Sequence, residues 1–268
     1  MGPSQSLNFS LRADVIVKRV FWGFLSIELL IVFLDVFVNH YQWCSVGSIR
    51  RMLNITREES LSNWFSSLQL IMAGTVIWLI SFTVRMQMQD YKRKFYCWAG
   101  IGSFFVYMGI DDAIKFHERM GTAFKELLLR SVEKSGPGTL YSIYEAFPSY
   151  PWQMLFGPFF MAIGIFIIWF LWEELLPQKS RYLLLVAIWL YILAVGLDFV
   201  EGLDKPYEGI AGFFSTEDFR IRHMSKALEE FLEMFGTTIF LTVFLKNLFR
   251  LSQEWKINIE GELKDWGD

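Results

Sequence analysis

The chain has 268 residues, of which 53% are hydrophobic, and its mean hydropathy is positive at +0.33. The apolar residues fall in long blocks, a pattern that is typical of membrane proteins. The formal net charge is -3 and the sequence pI is about 5.7, so the chain has no basic surplus to neutralise phosphates. We therefore set aside a nucleic-acid-binding function on electrostatic grounds.

Six apolar blocks are long enough to cross a bilayer. A hydrocarbon core about 30 Å thick takes roughly 20 residues of helix, because backbone polar groups in lipid must bond within their own segment. The sequence therefore predicts an all-α membrane helical bundle that forms one integral domain over residues 1–268. The predicted spans cover approximately residues 18–40, 62–85, 95–116, 152–174, 181–201 and 227–249.

The long connection after the third span has a helical pattern of its own. Phe124, Leu127, Leu128 and Val132 fall on one face, which predicts an amphipathic helix lying at the membrane interface. The Ser-Gly-Pro-Gly sequence at 135–138 should end that helix.

Several aromatic residues fall near the ends of the predicted spans. Tryptophan and tyrosine favour the membrane–water interface, so we expect these side chains to lie at the rims of the bundle. They are Trp22, Trp43, Trp98, Trp152, Tyr182 and Trp255.

Short basic connections give an orientation. The positive-inside rule weighs Lys and Arg in short loops near span ends, and such residues cluster on the face that carries both termini. This pattern predicts a multi-pass protein of the inner membrane with cytoplasmic N- and C-termini. The residues concerned are Lys18, Arg19, Lys92, Arg93, Lys94, Lys179, Arg181, Lys246 and Arg250.

In this topology, the histidines and most carboxylates fall at the opposite face. An ionised group inside a span end is costly unless it meets water, a partner or a metal. Asp198 and Glu201 are three residues apart, as are Glu230 and Glu233, so each pair converges on one point. This clustering predicts a divalent metal site for Zn, Fe, Mn or Ca. The candidate ligands are His117, Asp111, Asp112, Asp198, Glu201, Glu230, Glu233 and His223.

A metal at this place could activate water against a lipid-like or periplasmic substrate. The candidate catalytic residues of such a hydrolase are Asp112, Glu118 and Glu230. On one continuous helix, Asp111 and Glu118 would share a face with Lys115 between them, and Lys115 could simply neutralise both. Whether the protein is an enzyme therefore stays open.

Two other functions fit the same pattern. Glu28 is the deepest ionisable residue and shares a helical face with Asp35, so these two could form a proton path in a proton or cation channel or transporter. The charged residues could instead form an ion-pair rim in a non-catalytic subunit of a membrane complex. Membrane lipids are the expected partners, and a homo-oligomer or a larger membrane complex is left open.

Three motifs carry a resemblance to a known group of proteins. They are the Arg-Glu-Glu-Ser sequence at 57–60 with Trp64 and Phe65, the Asp-Asp-x-x-x-x-His-Glu sequence at 111–118, and the stretch 226–236 with Glu-Glu-x-x-Glu. They resemble motifs of uncharacterised bacterial multi-pass inner-membrane proteins, which implies a location but no activity.

A more distant resemblance concerns the ceramidase and adiponectin-receptor hydrolase superfamily. Its zinc site uses a serine, an aspartate and three histidines, which here would be Ser66 or Ser67, Asp112 and the three His. The last span departs from that pattern, because it has Glu230 and Glu233 where the superfamily has a His-x-x-x-His pair.

Overall fold

The computed structural model describes residues 12–87, 89–175 and 178–251. This part of the chain folds into helices joined by turns and loops. Six helices are long, and each coincides with one predicted span. They are α1 (Ala13–Asp35), α3 (Leu61–Gln87), α4 (Lys92–Ile114), α7 (Pro151–Glu174), α8 (Gln178–Glu201) and α10 (Asp218–Leu251).

Shorter helices occupy the connections. They are α2 (Gly47–Met52), α5 (Phe116–Ser135), α6 (Thr139–Ala146) and α9 (Glu208–Phe213), and a π-helical turn (Val36–His40) extends α1. The all-helical prediction is confirmed for the described residues. Within the described ranges, four segments are long and apolar enough to cross a membrane, which supports a membrane protein: Ala13–His40, Leu61–Gln87, Pro151–Glu174 and Lys179–Glu201.

The two ends of the bundle differ in which helix termini they carry. Ala13, at the start of α1, lines the same groove as Arg250 in the last turn of α10. We call this end the termini face. The opposite end, where α1 finishes and α10 begins, is the distal face.

α10 lies at the centre of the bundle and packs against α8, α3 and α1. Its second half is almost wholly buried, with Phe240 and Phe244 against Phe105 at ring-centroid distances of 5.4 and 5.5 Å. Trp98 joins this cluster edge-on to Phe170 at 5.3 Å. These contacts form the hydrophobic core of the helical bundle.

The expectation that Trp98 lies at the rim is wrong, because only 1% of its surface is exposed. Phe170 and Phe244 enclose its indole, so packing overrides the interfacial preference. Trp22, Trp43 and Tyr182 are exposed. Trp152 is half-buried, and Trp255 lies outside the described residues.

Glycines bring α3 and α4 into close contact. A Cβ atom on Gly74 would lie 2.7 Å from the carbonyl oxygen of Gly102, and one on Gly109 would lie 2.8 Å from that of Ser67. Small residues allow such close approach of membrane helices. The contact at Gly109 holds Ser67 beside the end of α4, where the polar residues of the distal face begin.

The amphipathic helix predicted after the third span is present as α5. It packs against α7 and ends at Ser135, where Gly136 takes a φ of 75° in the left-handed region. Leu128 is buried, whereas Leu127 is 66% exposed. The predicted glycine–proline break is therefore confirmed, and the position of α5 at a membrane interface stays a prediction.

The helix through Asp111 and Glu118 is not continuous, so the expectation of a face shared with Lys115 is wrong. α4 ends at Ile114, and Lys115 takes the left-handed conformation with φ 51° and ψ 45°. α5 then begins at Phe116. The break turns His117 back toward α4, where its backbone N–H donates to Asp111 Oδ1 at 3.1 Å.

Candidate functional site

A cavity of about 260 Å³ opens at the distal face. We call it the distal cavity. It lies among the starts of α3, α5 and α7, the end of α8 and the first half of α10. Three basic residues line it, Arg57, Lys115 and Lys226, together with five acidic ones. The acidic residues are Glu58, Glu118, Asp198, Glu201 and Glu230, of which all but Glu58 are predicted site residues.

Asp112 contacts Lys115 of this cavity and is held by two donors from different elements. Lys115 Nζ lies 3.0 Å from Asp112 Oδ1, and Ser67 Oγ on α3 donates to Oδ2 at 3.1 Å. Lys115 is only 13% exposed and also lies in the electrostatic field of Glu230, Glu233 and Glu118. The charge of Asp112 is thus already balanced by a buried lysine.

Lys226 plays the same part on the other side of the cavity. Its Nζ lies 2.6 Å from Glu229 and 3.7 Å from Asp198, which also accepts a hydrogen bond from Gln153 Nε2 at 2.8 Å. Burial by itself would lower the pKa of Lys226, but the carboxylates of Glu229, Glu230 and Asp198 outweigh it and raise that pKa. The ammonium therefore stays charged, and it ties α8 to α10.

Tyr150 lies at the edge of the distal cavity, just before α7. Burial, followed by the negative charges of Glu201 and Asp198, raises the pKa of Tyr150 to about 12. Its phenol therefore stays protonated at neutral pH and can donate a hydrogen bond.

His117 has a pairing of its own. Its Nδ1 contacts Asp111 Oδ2 on α4, and its ring lies edge-on to Trp152 with centroids 4.5 Å apart. Asp111 is almost completely buried and also accepts the His117 backbone N–H. This cluster fastens α5 to α4 and α7 after the break at Lys115.

His223 pairs with a different carboxylate, Asp35 at the end of α1. His223 Nε2 lies 2.8 Å from Asp35 Oδ2, and Asp35 Oδ1 accepts from Asn39 Nδ2 at 3.0 Å and the Ile55 N–H at 3.1 Å. Asp35 is 1% exposed. The contacts with His223 and Ile55 join α10 and the loop before α3 to α1, which suits an anchor between elements.

The predicted metal ligands, all of them among the described residues, thus have separate partners and do not meet at one point. Asp111 and His117 form one pair and Asp35 and His223 another, whereas Asp198, Glu201 and Glu230 line the cavity. In the described ranges, no group of three or more His, Cys, Asp or Glu side chains is arranged to hold a metal ion. The metal site and the catalytic roles of Asp112, Glu118 and Glu230 stay predictions.

A second polar feature lies deep between α1, α3 and α10. Glu28 has no exposed surface, and its Oε1 accepts hydrogen bonds from Gln69 Nε2 at 2.8 Å and Thr238 Oγ1 at 2.5 Å. Gln69 also donates to Thr238 Oγ1 at 2.9 Å. Glu28 Oε2 and Gln69 Oε1 have no partner in the residues described. A buried carboxyl oxygen without a donor is a place where a proton can be held.

Polar residues on successive turns of α10 connect this group to both faces. Glu230 lines the distal cavity, and Glu233 follows one turn further in. Thr237 Oγ1 lies 2.5 Å from the Tyr191 hydroxyl on α8 and donates to the Glu233 carbonyl. We call the polar residues that follow one another along this part of the bundle the polar column: Glu230, Glu233, Tyr191, Thr237, Thr238, Gln69, Glu28 and Thr242.

The column continues past Glu28 toward the termini face. Thr242 Oγ1 donates to the Thr238 carbonyl at 2.8 Å, and Thr242 lines the groove that opens between α1, α8 and α10. From Glu230 to Thr242 the helix rises about 18 Å, more than half of a 30 Å hydrocarbon core. The column therefore reaches from one cavity to the other.

Sequence reasoning found Glu28 and the acidic residues but missed the hydroxyls of the column. In the sequence, nothing distinguishes Thr237, Thr238 and Thr242 from other residues of an apolar span, or Tyr191 from the many other aromatic residues. Thr237 lies four residues after Glu233, and Thr242 lies four after Thr238, so this spacing of about one helical turn is a signal that could have found the threonines.

Together these observations define an all-helical membrane protein with a charged cavity at one face and a polar column behind it. A family model described as a domain of unknown function (DUF8692) matches residues 24–248, from within α1 to the last turns of α10. The chain belongs to this family. No curated protein and no solved structure matches it.

Proposed function

We propose that the chain is a six-span inner-membrane protein that conducts protons through the polar column, with Glu28 as the group that takes up and releases the proton. The observation that carries this proposal is the fully buried carboxyl of Glu28, which bonds to Gln69 and Thr238 and whose other oxygen has no partner among the described residues. Ionisable groups at such depth are costly and mark proton relays in membrane proteins.

Six spans are supported by the packing of the two less apolar helices. α4 and α10 carry charged residues near their ends, but both are wedged among the four apolar helices and share their core. Their lengths of 23 and 34 residues suffice to cross a bilayer. The basic connections at the termini face favour a cytoplasmic location for both termini.

A proton suits the polar column better than a larger cation does. Glu28, Gln69 and Thr238 touch one another at 2.5 to 2.9 Å, which leaves no room for an ion among them. Protons need no such room, because they pass along hydrogen bonds between hydroxyl and carboxyl groups. Bound water can bridge the wider steps of the column.

The distal cavity serves as the mouth of the path. It has five carboxylates against three basic side chains, and such an acidic excess raises the local concentration of cations, protons included. The lysines matter as well. Because Lys115 pairs with Asp112, and Lys226 with Glu229 and Asp198, the attraction for a divalent metal is reduced.

Proton flux into sealed vesicles tests the proposal. The purified chain is reconstituted into liposomes that hold a pH-sensitive dye, and a potassium gradient with valinomycin sets the membrane potential. Vesicles with protein should change internal pH faster than protein-free vesicles. Equal rates over a range of protein densities would contradict a proton-conducting function.

A further inference from the structure

The groove at the termini face has a distinct chemistry. Its volume is about 530 Å³, and it opens between the first half of α1, the start of α8 and the end of α10. Its deep part is apolar, with Val17, Phe21, Leu183 and Ile239. We call it the termini-face groove.

The rim of this groove is cationic. Lys18, Lys246 and Arg250 line it, and none of them has a carboxylate partner in the part of the chain that the structure describes. Within the described ranges, Arg250 donates to the Asn247 side chain at 2.8 Å and to the Glu174 carbonyl at 3.4 Å. Among the described residues of the rim, Asp14 is acidic, and it is already paired with Arg12 at 3.2 Å.

The charged and apolar parts are separated along the groove. Arg250 and Ile239 are eleven residues apart on α10, which corresponds to about 16 Å of helix. On α1, Lys18 precedes Phe21 and Trp22, and Trp22 is 62% exposed beside the groove. A molecule that fills this space needs an anionic head at the bundle end and an apolar chain that runs inward.

We propose that an anionic phospholipid binds in the termini-face groove. Its phosphate meets Lys18, Lys246 and Arg250, and one acyl chain lies along Phe21, Leu183 and Ile239. Basic pockets between membrane helices recognise anionic headgroups by charge, and the three cations of the rim favour such a lipid over a zwitterionic one. This site is at the opposite end of the bundle from the distal cavity and does not depend on proton conduction.

Native mass spectrometry of the full chain in detergent tests the proposal. Phosphatidylglycerol and phosphatidylcholine with the same acyl chains are titrated against wild type and against the double variant Lys18→Gln, Lys246→Gln. Wild type should retain phosphatidylglycerol in preference to phosphatidylcholine. The double variant should bind phosphatidylglycerol roughly thirtyfold more weakly, because each lysine near an anionic headgroup strengthens binding about five- to sixfold.

The control variant removes the same charge from the same face outside the groove. Lys92 and Lys179 are both exposed there, so Lys92→Gln, Lys179→Gln should bind phosphatidylglycerol as wild type does. Excess glycerol phosphate, which has the headgroup chemistry without chains, should fail to displace the lipid. Equal binding of both lipids, unchanged binding by Lys18→Gln, Lys246→Gln, or displacement by glycerol phosphate would each overturn the proposal.

Discussion

Proton flux of the Glu28→Gln variant should fall to the level of protein-free liposomes. The amide side chain has nearly the same shape and can still accept hydrogen bonds from Gln69 and Thr238, so the bundle should fold as before. An amide cannot take up and release a proton in the way that a carboxyl group can. The measurement is the dye-reported flux at matched amounts of folded, reconstituted protein.

The matched control is Glu126→Gln on α5. Glu126 is exposed and lies 4.0 Å from Arg130. It belongs to α5, which contributes no residue to the polar column. This variant should conduct protons as wild type does. Wild-type flux in Glu28→Gln would show that protons do not pass through Glu28, even if the protein conducts them by another route.

The variant Lys226→Met should lower stability by about 3 kcal/mol, which corresponds to a melting temperature roughly 10 °C lower in detergent. Lys226 balances Glu229 and Asp198, and Glu229 is almost completely buried. Removing the lysine leaves both carboxylates without their counter-ion in a poorly hydrated place. Thermal unfolding of purified protein, followed by tryptophan fluorescence, measures the change.

The pH dependence of this loss gives a further check. Protonation of the orphaned carboxylates removes the unpaired charge, so the deficit should shrink as the pH is lowered. Lys226→Arg keeps the positive charge and should cost much less than Lys226→Met. A melting temperature of Lys226→Met equal to that of wild type at neutral pH would show that the ion pair does not hold α8 to α10.

The fold was largely predictable from the sequence, because the constraint on membrane helices is strong. Because backbone groups in lipid must hydrogen-bond within their own segment, each apolar block of about 20 residues is expected to be a helix. The structure has a long helix at each of the six blocks. The break at Lys115 was not predictable, because no glycine or proline marks it. At the break, Lys115 takes the left-handed backbone conformation, and His117 just after it pairs with Asp111.

The candidate site was predictable only in part. Sequence position put the acidic residues at one face, and the distal cavity does gather Glu118, Asp198, Glu201 and Glu230. It could not show that His117 and His223 pair with different aspartates, because residues distant in sequence decide those contacts. Likewise, the burial of Trp98 and the bond between Glu28 and Thr238 depend on how α10 sits among its neighbours.

The reversal potential of current through the protein in planar bilayers is the most direct test of proton conduction through the column. With equal salt on both sides and a pH gradient, the reversal potential should shift by about 59 mV for each unit of pH difference. Replacing sodium by potassium on one side should leave it unchanged. A reversal potential that follows the sodium or potassium gradient, or a current no larger than that of the bare bilayer, would contradict the account.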